Sequence, residues 1–143
     1  MGKKRIIKKR GGSDVSGTSR ALTRIPKMKV SIGTLNILAT FNNTILTLAD
    51  AKGNSLIAAS SGALGFKGSR KSTPFAAAKV GEIIGEKAQQ MGMKSANIII
   101  RGVGAGRESA LRAFSGKGIA ITTITDRTPV PHNGPRPPKP RRV

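Results

Sequence analysis

The chain has no cysteine, tryptophan or tyrosine, one histidine, and only six acidic residues in 143. Each shortage removes a class of function. Without cysteine there is no disulfide framework and no thiolate chemistry. With His132 as the only histidine, a zinc site of Cys and His ligands is excluded. His132 also lacks a Ser/Asp or Cys partner at an informative spacing, so it reads as a polar contact rather than a general base. The acids are Asp14, Asp50, Glu82, Glu86, Glu108 and Asp126. They are scattered along the chain, whereas two-metal nuclease chemistry needs clustered carboxylates. Four phenylalanines are the only aromatics, so base stacking cannot be the main mechanism of any nucleic-acid binding. No apolar run approaches ~18 residues, so no segment reads as a membrane span. The start, MGKKRIIKKRGG, is charged, but no apolar stretch follows, so it does not read as a secretory signal. An organellar transit peptide has a similar basic composition. A bacterial cytoplasmic chain is the default expectation and an organellar matrix the alternative.

What is present is positive charge. Twenty-six Lys and Arg against six acids give a net charge of +20. Such a chain repels itself and calls for a polyanion, nucleic acid before an anionic membrane. Residues 1–30 carry ten basic residues and one acid, residues 127–143 five and none, and the middle eleven and five. The expected organisation is a basic arm over 1–32, one folded core over 33–126, and a Pro/Arg-rich arm over 127–143.

Within the core the patterning changes. TLNILATF alternates, with Leu35, Ile37, Ala39 and Phe41 on one face. NTILTLAD and NSLIAASS follow, joined through FNNT and DAKGN, whose Asn, Asp and Gly suit tight turns. These predict a three-strand antiparallel meander. After the loop SGALGFKGSRKS comes a helix over TPFAAAKVGEIIGEKAQQMG. Thr73 is its N-cap, Pro74 its first residue, and Gly92 its stop. Its apolar face is Val80, Ile83, Ile84 and Met91. SANIIIRG predicts a short strand buried on both faces. A Gly-rich turn and a second helix follow, then IAITTITD as a last strand. The order β-β-β-α-β-α-β predicts an α/β fold: one mixed sheet, late strands parallel, flanked by helices.

Two loops carry candidate chemistry. GVGAGRES, Gly102 to Ser109, is not a dinucleotide fingerprint, because Arg107 stands where that pattern needs Gly. It reads either as a tight strand-to-helix turn, or as a turn that lets phosphate approach with Arg107 as the charge. GFKGSRKST fails as a P-loop, because Arg70 precedes the Lys-Ser pair. Its Lys67, Arg70 and Lys71 sit before a helix start, where anions are favoured. No cofactor is implied.

FNNTILTLAD, GFKGSRKSTPFAA, GAGRES and ITDRTPVPHNGPRPPKPRRV, taken in order, resemble the small-subunit ribosomal protein eleven family in its bacterial type. The resemblance runs from about Gly33 to Val143. It implies a ribonuclease-H-like topology without that fold's catalytic acids. It also implies a structural role on the platform of the small ribosomal subunit, bound to 16S-type rRNA. The mRNA exit-site path and the Shine-Dalgarno cleft would lie nearby. Ribosomal proteins seven, eighteen and, where present, twenty-one would be neighbours, with no membrane and no homo-oligomer. Carried over onto this chain, the RNA contacts are Asn42 and Asn43 in the hairpin turn, then Lys67, Gly68, Ser69, Arg70, Lys71 and Ser72 in the basic loop. Arg107 and Glu108 match the Gly-rich turn. Arg127, His132, Asn133, Gly134 and Arg136 match the tail, where Lys139, Arg141 and Arg142 add phosphate contacts. The family turn is usually Gly-Pro-Gly-Pro-Gly; here Val103 and Ala105 replace the prolines. Pro135 stands where bacterial relatives often have Cys. The competing expectations are a general nucleic-acid compaction protein and a degenerate nuclease using Asp50 and Asp126.

Overall fold

A computed structural model of the chain describes residues 26–140. Most of the expected N-terminal arm, with Arg141 and Arg142, lies outside these residues. The described residues form one five-stranded sheet and two helices. The strands are β1 (Ile32–Ala39), β2 (Thr44–Asp50), β3 (Ser55–Ser60), β4 (Ser95–Arg101) and β5 (Ala120–Asp126). Helix α1 (Pro74–Gln90) lies between β3 and β4, and α2 (Gly106–Ser115) between β4 and β5.

The sheet order is β3-β2-β1-β4-β5. β1, β2 and β3 pair antiparallel, as the meander predicts. β4 joins parallel to β1, and β5 parallel to β4. Each parallel connection is made through one helix, since parallel neighbours cannot be joined by a tight turn.

The core follows from strand periodicity. Leu35 and Ile37 of β1, Leu46 and Leu48 of β2, and Ala96, Ile98 and Ile100 of β4 point to one face and are buried. Val80 and Ile84 of α1 and Phe114 of α2 complete that core. Each large side chain so buried contributes about 1.5–3 kcal/mol. The opposite face has no covering layer among the described residues. Thr34, Asn36, Thr47, Asn97 and Ile99 are only half-buried there, and Leu38, Ile45 and Arg101 are exposed. The expectation that β4 is buried on both faces therefore holds for one face only. A three-isoleucine run cannot say whether a second layer exists.

α1 is delimited as its sequence predicts. The Thr73 hydroxyl accepts from the Ala76 N–H at 3.3 Å, and Pro74 takes the first helical position. At the other end Gly92 adopts φ +78. The Gly92 N–H donates to Gln89 O and the Met93 N–H to Ala88 O, at 2.9 and 3.0 Å. That is the Schellman pattern, with Met93 buried behind it. The two helices pack against each other through small residues. A Cβ on Gly81 would lie 2.6 Å from Ala110 O, and one on Gly85 would lie 2.7 Å from the Lys117 side chain.

Candidate nucleic-acid interface

The topology sends every motif loop to one edge of the sheet. β1, β3, β4 and β5 run in the same direction. Their C-terminal ends lead into the hairpin turn Thr40–Asn43, the basic loop from Ser61, the Gly-rich turn from Gly102, and the C-terminal arm from Arg127. Segments distant in sequence thus become neighbours.

The hairpin turn is organised by one hydroxyl. Thr40 Oγ1 accepts from the Asn43 N–H at 3.1 Å and, more weakly, from the Asn42 N–H at 3.4 Å. It donates to Asn43 O at 3.0 Å. Asn43 Oδ1 accepts from the Thr44 N–H at 3.0 Å, whereas Asn42 is exposed. This turn ends β1 at Ala39, so Phe41 leaves the alternating face on which the sequence puts it. It stands 76% exposed at the tip.

The basic loop closes in a 3₁₀ turn over Gly68–Ser72. The Ser72 hydroxyl donates to Ser69 O and the Thr73 hydroxyl to Arg70 O, at 3.1 and 2.7 Å. Gly68 has φ +62, a conformation that favours glycine. Lys67, Ser69 and Arg70 are exposed, and Lys71 and Ser72 are half-buried. Their charges precede the N-terminus of α1, whose free N–H groups add to the positive field.

Packing accounts for the glycines of the Gly-rich turn. A Cβ on Gly102 or Gly104 would collide with the backbone of Ala39 and Thr40. On Gly106 it would lie 2.5 Å from Thr44 Oγ1 and 2.7 Å from the Ala77 methyl. The glycines are therefore required by the approach of this turn to β1 and α1. Arg107 is engaged internally: its guanidinium donates to Gly102 O and pairs with the Asp126 carboxylate. Asp126 accepts from both the hydroxyl and the N–H of Thr128, at 2.6 and 2.9 Å. The Gly102 N–H returns to the Thr128 hydroxyl at 3.2 Å. The Thr128 bonds first, then Arg107, hold the Asp126 pKa down at about 2. This network joins α2, β4 and β5 where the arm departs. Glu108 pairs with Arg112.

The arm leaves the sheet at Arg127, whose N–H still donates to Ile100 O at 2.9 Å. Every residue from Pro129 to Pro140 is exposed, including His132, Asn133, Arg136 and Lys139. Asn133 adopts φ 56, the only positive value at a non-glycine among the described residues. The turn at His132–Asn133 lies beyond the point where the arm leaves the sheet.

The charge pattern is asymmetric. Each carboxylate among the described residues has partners within the chain. Glu82 holds Lys79 and Glu86 holds Lys117, at 3.1 and 2.8 Å. Asp50 accepts from Lys52 and Asn54 in its own turn, chiefly Asn54, and these bonds lower its pKa. Lys67, Arg70, Lys71, Arg101, Arg127, Arg136 and Lys139 have no acidic partner among the described residues. Arg101 is an addition that sequence reasoning missed. Its only signal is a charge ending an apolar strand. The nuclease reading loses the carboxylate pair it needs. Asp50 lies beside Gly33 at the start of β1, and Asp126 beside Ile100 at the end of β4. They occupy opposite ends of the sheet. No group of three or more His, Cys, Asp or Glu among the described residues is placed to hold a metal.

Compared with known families, the chain matches the family model described as Ribosomal protein S11 over residues 33–142.

Proposed function

The chain belongs to the ribosomal protein S11 family and is thereby a structural, rRNA-binding protein of the small ribosomal subunit; we propose that the loop edge of its sheet is the face laid against that RNA. The observation that carries this reading is the gathering of basic side chains on the motif loops and the arm at this one edge. Four of the described acids are held by cations within the chain and Asp50 by hydrogen bonds of its own turn. Lys67, Arg70, Lys71, Arg101 and Arg127 at the loop edge have no acidic partner among the described residues. Lys27, Lys29, Lys52 and Lys94 at the opposite edge have none either, but stand on no motif loop. The contacts at this edge are Asn42 and Asn43, Lys67 to Ser72, Arg101, and Arg127, with His132, Asn133, Arg136, Lys139, Arg141 and Arg142 following along the arm. Arg107 acts as the brace that sets where the arm departs. Proline holds the arm extended, so less entropy is lost when RNA orders it. Phosphate contacts position the protein, and RNA shape supplies recognition.

The finer setting we assign is the platform of a bacterial-type subunit, near the mRNA exit-site path and the Shine-Dalgarno cleft. Ribosomal proteins seven, eighteen and, where present, twenty-one are the neighbours. The support is the tail PHNGPRPPKPRRV together with the turn and loop motifs.

The test is binding to a central-domain fragment of 16S-type rRNA across a salt series. Affinity should fall steeply with salt, and replacing Lys67, Arg70 and Lys71 by Ala should reduce the log–log slope by about one for each phosphate no longer neutralised. Equal affinity for duplex DNA would favour a compaction role instead. Binding that ignores salt, or that prefers a neutral polymer, would refute the reading.

A further inference from the structure

Of the chain's four phenylalanines, Phe114 is fully buried and Phe66 half-buried, while Phe41 and Phe75 are 76% and 64% exposed. Both exposed rings lie at the loop edge. They are not equivalent. Phe75 is already attended: Phe66 meets it edge-on, with centroids 6.1 Å apart, and the Lys79 ammonium sits 5.7 Å from its centroid. No aromatic or cationic partner of this kind attends Phe41 among the described residues. It stands on a turn made stiff by the Thr40 hydroxyl, which accepts from the Asn42 and Asn43 N–H groups and donates to Asn43 O. The Gly104 N–H bonds Ala39 O at 2.9 Å and ties the hairpin to the Gly-rich turn. A large apolar ring held out into water on a hydrogen-bonded tip gains little from folding of the free chain, and it is pre-organised for a flat partner.

We infer that Phe41 is a base-stacking platform, taking one unpaired nucleobase of the bound RNA. This rests on the rRNA-binding reading of the same edge. The surroundings favour a base over an apolar protein side chain. The tip is flanked by the amides of Asn42 and Asn43, and the edge carries Lys67, Arg70, Arg101 and Arg127 with no unpaired carboxylate among the described residues. Those cations hold phosphates, and the ring takes the face of the base between them. Paired bases hide their faces inside the helix, so the ligand is a loop, bulge or strand end. One stacked base is compatible with a chain so poor in aromatics, because the phosphates still supply most of the affinity.

The absence of Trp and Tyr makes the test clean, since Phe41→Trp carries the chain's only strong fluorophore. With a loop-containing rRNA fragment, Phe41→Trp should bind as the parent does, and its emission should be quenched on binding. Phe41→Ala should bind about tenfold more weakly with an unchanged salt slope, and Phe41→Leu should stay weak because bulk without a ring does not stack. Phe75→Ala is the comparison and should lose much less. Thermal midpoints of the alanine variants, unmoved from the parent, establish that both are folded. Phe41→Ala or Phe41→Leu binding at parental affinity, or unquenched Phe41→Trp, would overturn the stacking role while leaving the phosphate interface intact. If the parent chain itself shows no salt-dependent RNA binding, the interface fails and the stacking role with it.

Discussion

Lys87 offers a sharp test of how the core is built. It lies on the buried face of α1 with Val80, Ile84 and Met91, at helical spacing. The residue is 8% exposed, and its ammonium has no hydrogen-bond partner among the described residues. Burial alone lowers its pKa from 10.5, because the charged form loses hydration and gains no partner. A buried donor left unsatisfied costs about 1–3 kcal/mol, and a charged one tends to the upper end. Methionine matches the length of the lysine stem and fills the same space, so Lys87→Met removes the penalty without opening a cavity. We expect a gain of about 1–3 kcal/mol near neutral pH, or roughly 4 °C in midpoint per kcal/mol. Removing any cation also relieves the repulsion of a +20 chain, so the exposed Lys52→Met serves as the subtraction. The pH dependence gives a second readout. With the folded pKa below the unfolded one, the unfolded chain binds more protons between the two values. Parent stability must therefore rise as pH climbs from the lowered value toward 10.5. Lys87→Met lacks that rise, so its advantage should shrink in alkaline solution. Thermal unfolding followed by circular dichroism at neutral and alkaline pH measures both effects. A destabilised Met variant, or an advantage that does not change with pH, would refute the reasoning.

Gly102→Ala should cost about 2–3 kcal/mol in denaturant unfolding, because φ +92 disfavours a side chain and the added Cβ meets the Ala39 carbonyl. Thr73→Ala should cost about 1 kcal/mol by the same measurement, because the α1 cap is removed. Asp126, with its pKa at about 2, should stay ionised in an NMR titration well below the usual carboxylate range. Because its folded pKa lies below the ordinary 3.8, its contribution to stability is present above that value and fades as pH falls toward 2; Asp126→Asn should abolish that slope.

Much of this protein is legible in the order of its residues. Strand alternation in β1 and β2, the Thr73-Pro74 start and Gly92 stop of α1, and the α/β order all depend on neighbours in the chain. So does the conclusion that an excess of Lys and Arg needs a polyanion. The candidate site is legible as a set of motifs, but not as a place. Sequence shows GFKGSRKS and GVGAGRES as separate loops. Only the sheet order, with β4 inserted beside β1, brings them to one edge. The same limit explains the differences. Alternation puts Phe41 in line with Leu35, Ile37 and Ala39, yet the Thr40 hydroxyl closes the turn first and leaves the ring in solvent. Arg107 looks like a free charge until Asp126, 19 residues further on, is found holding it. The three isoleucines of β4 cannot reveal that, among the described residues, only one face is covered. Propensity and periodicity are local and survive in the one-dimensional record. Burial, ion pairing and the location of an interface depend on which distant segments meet, and that was decided by tertiary packing.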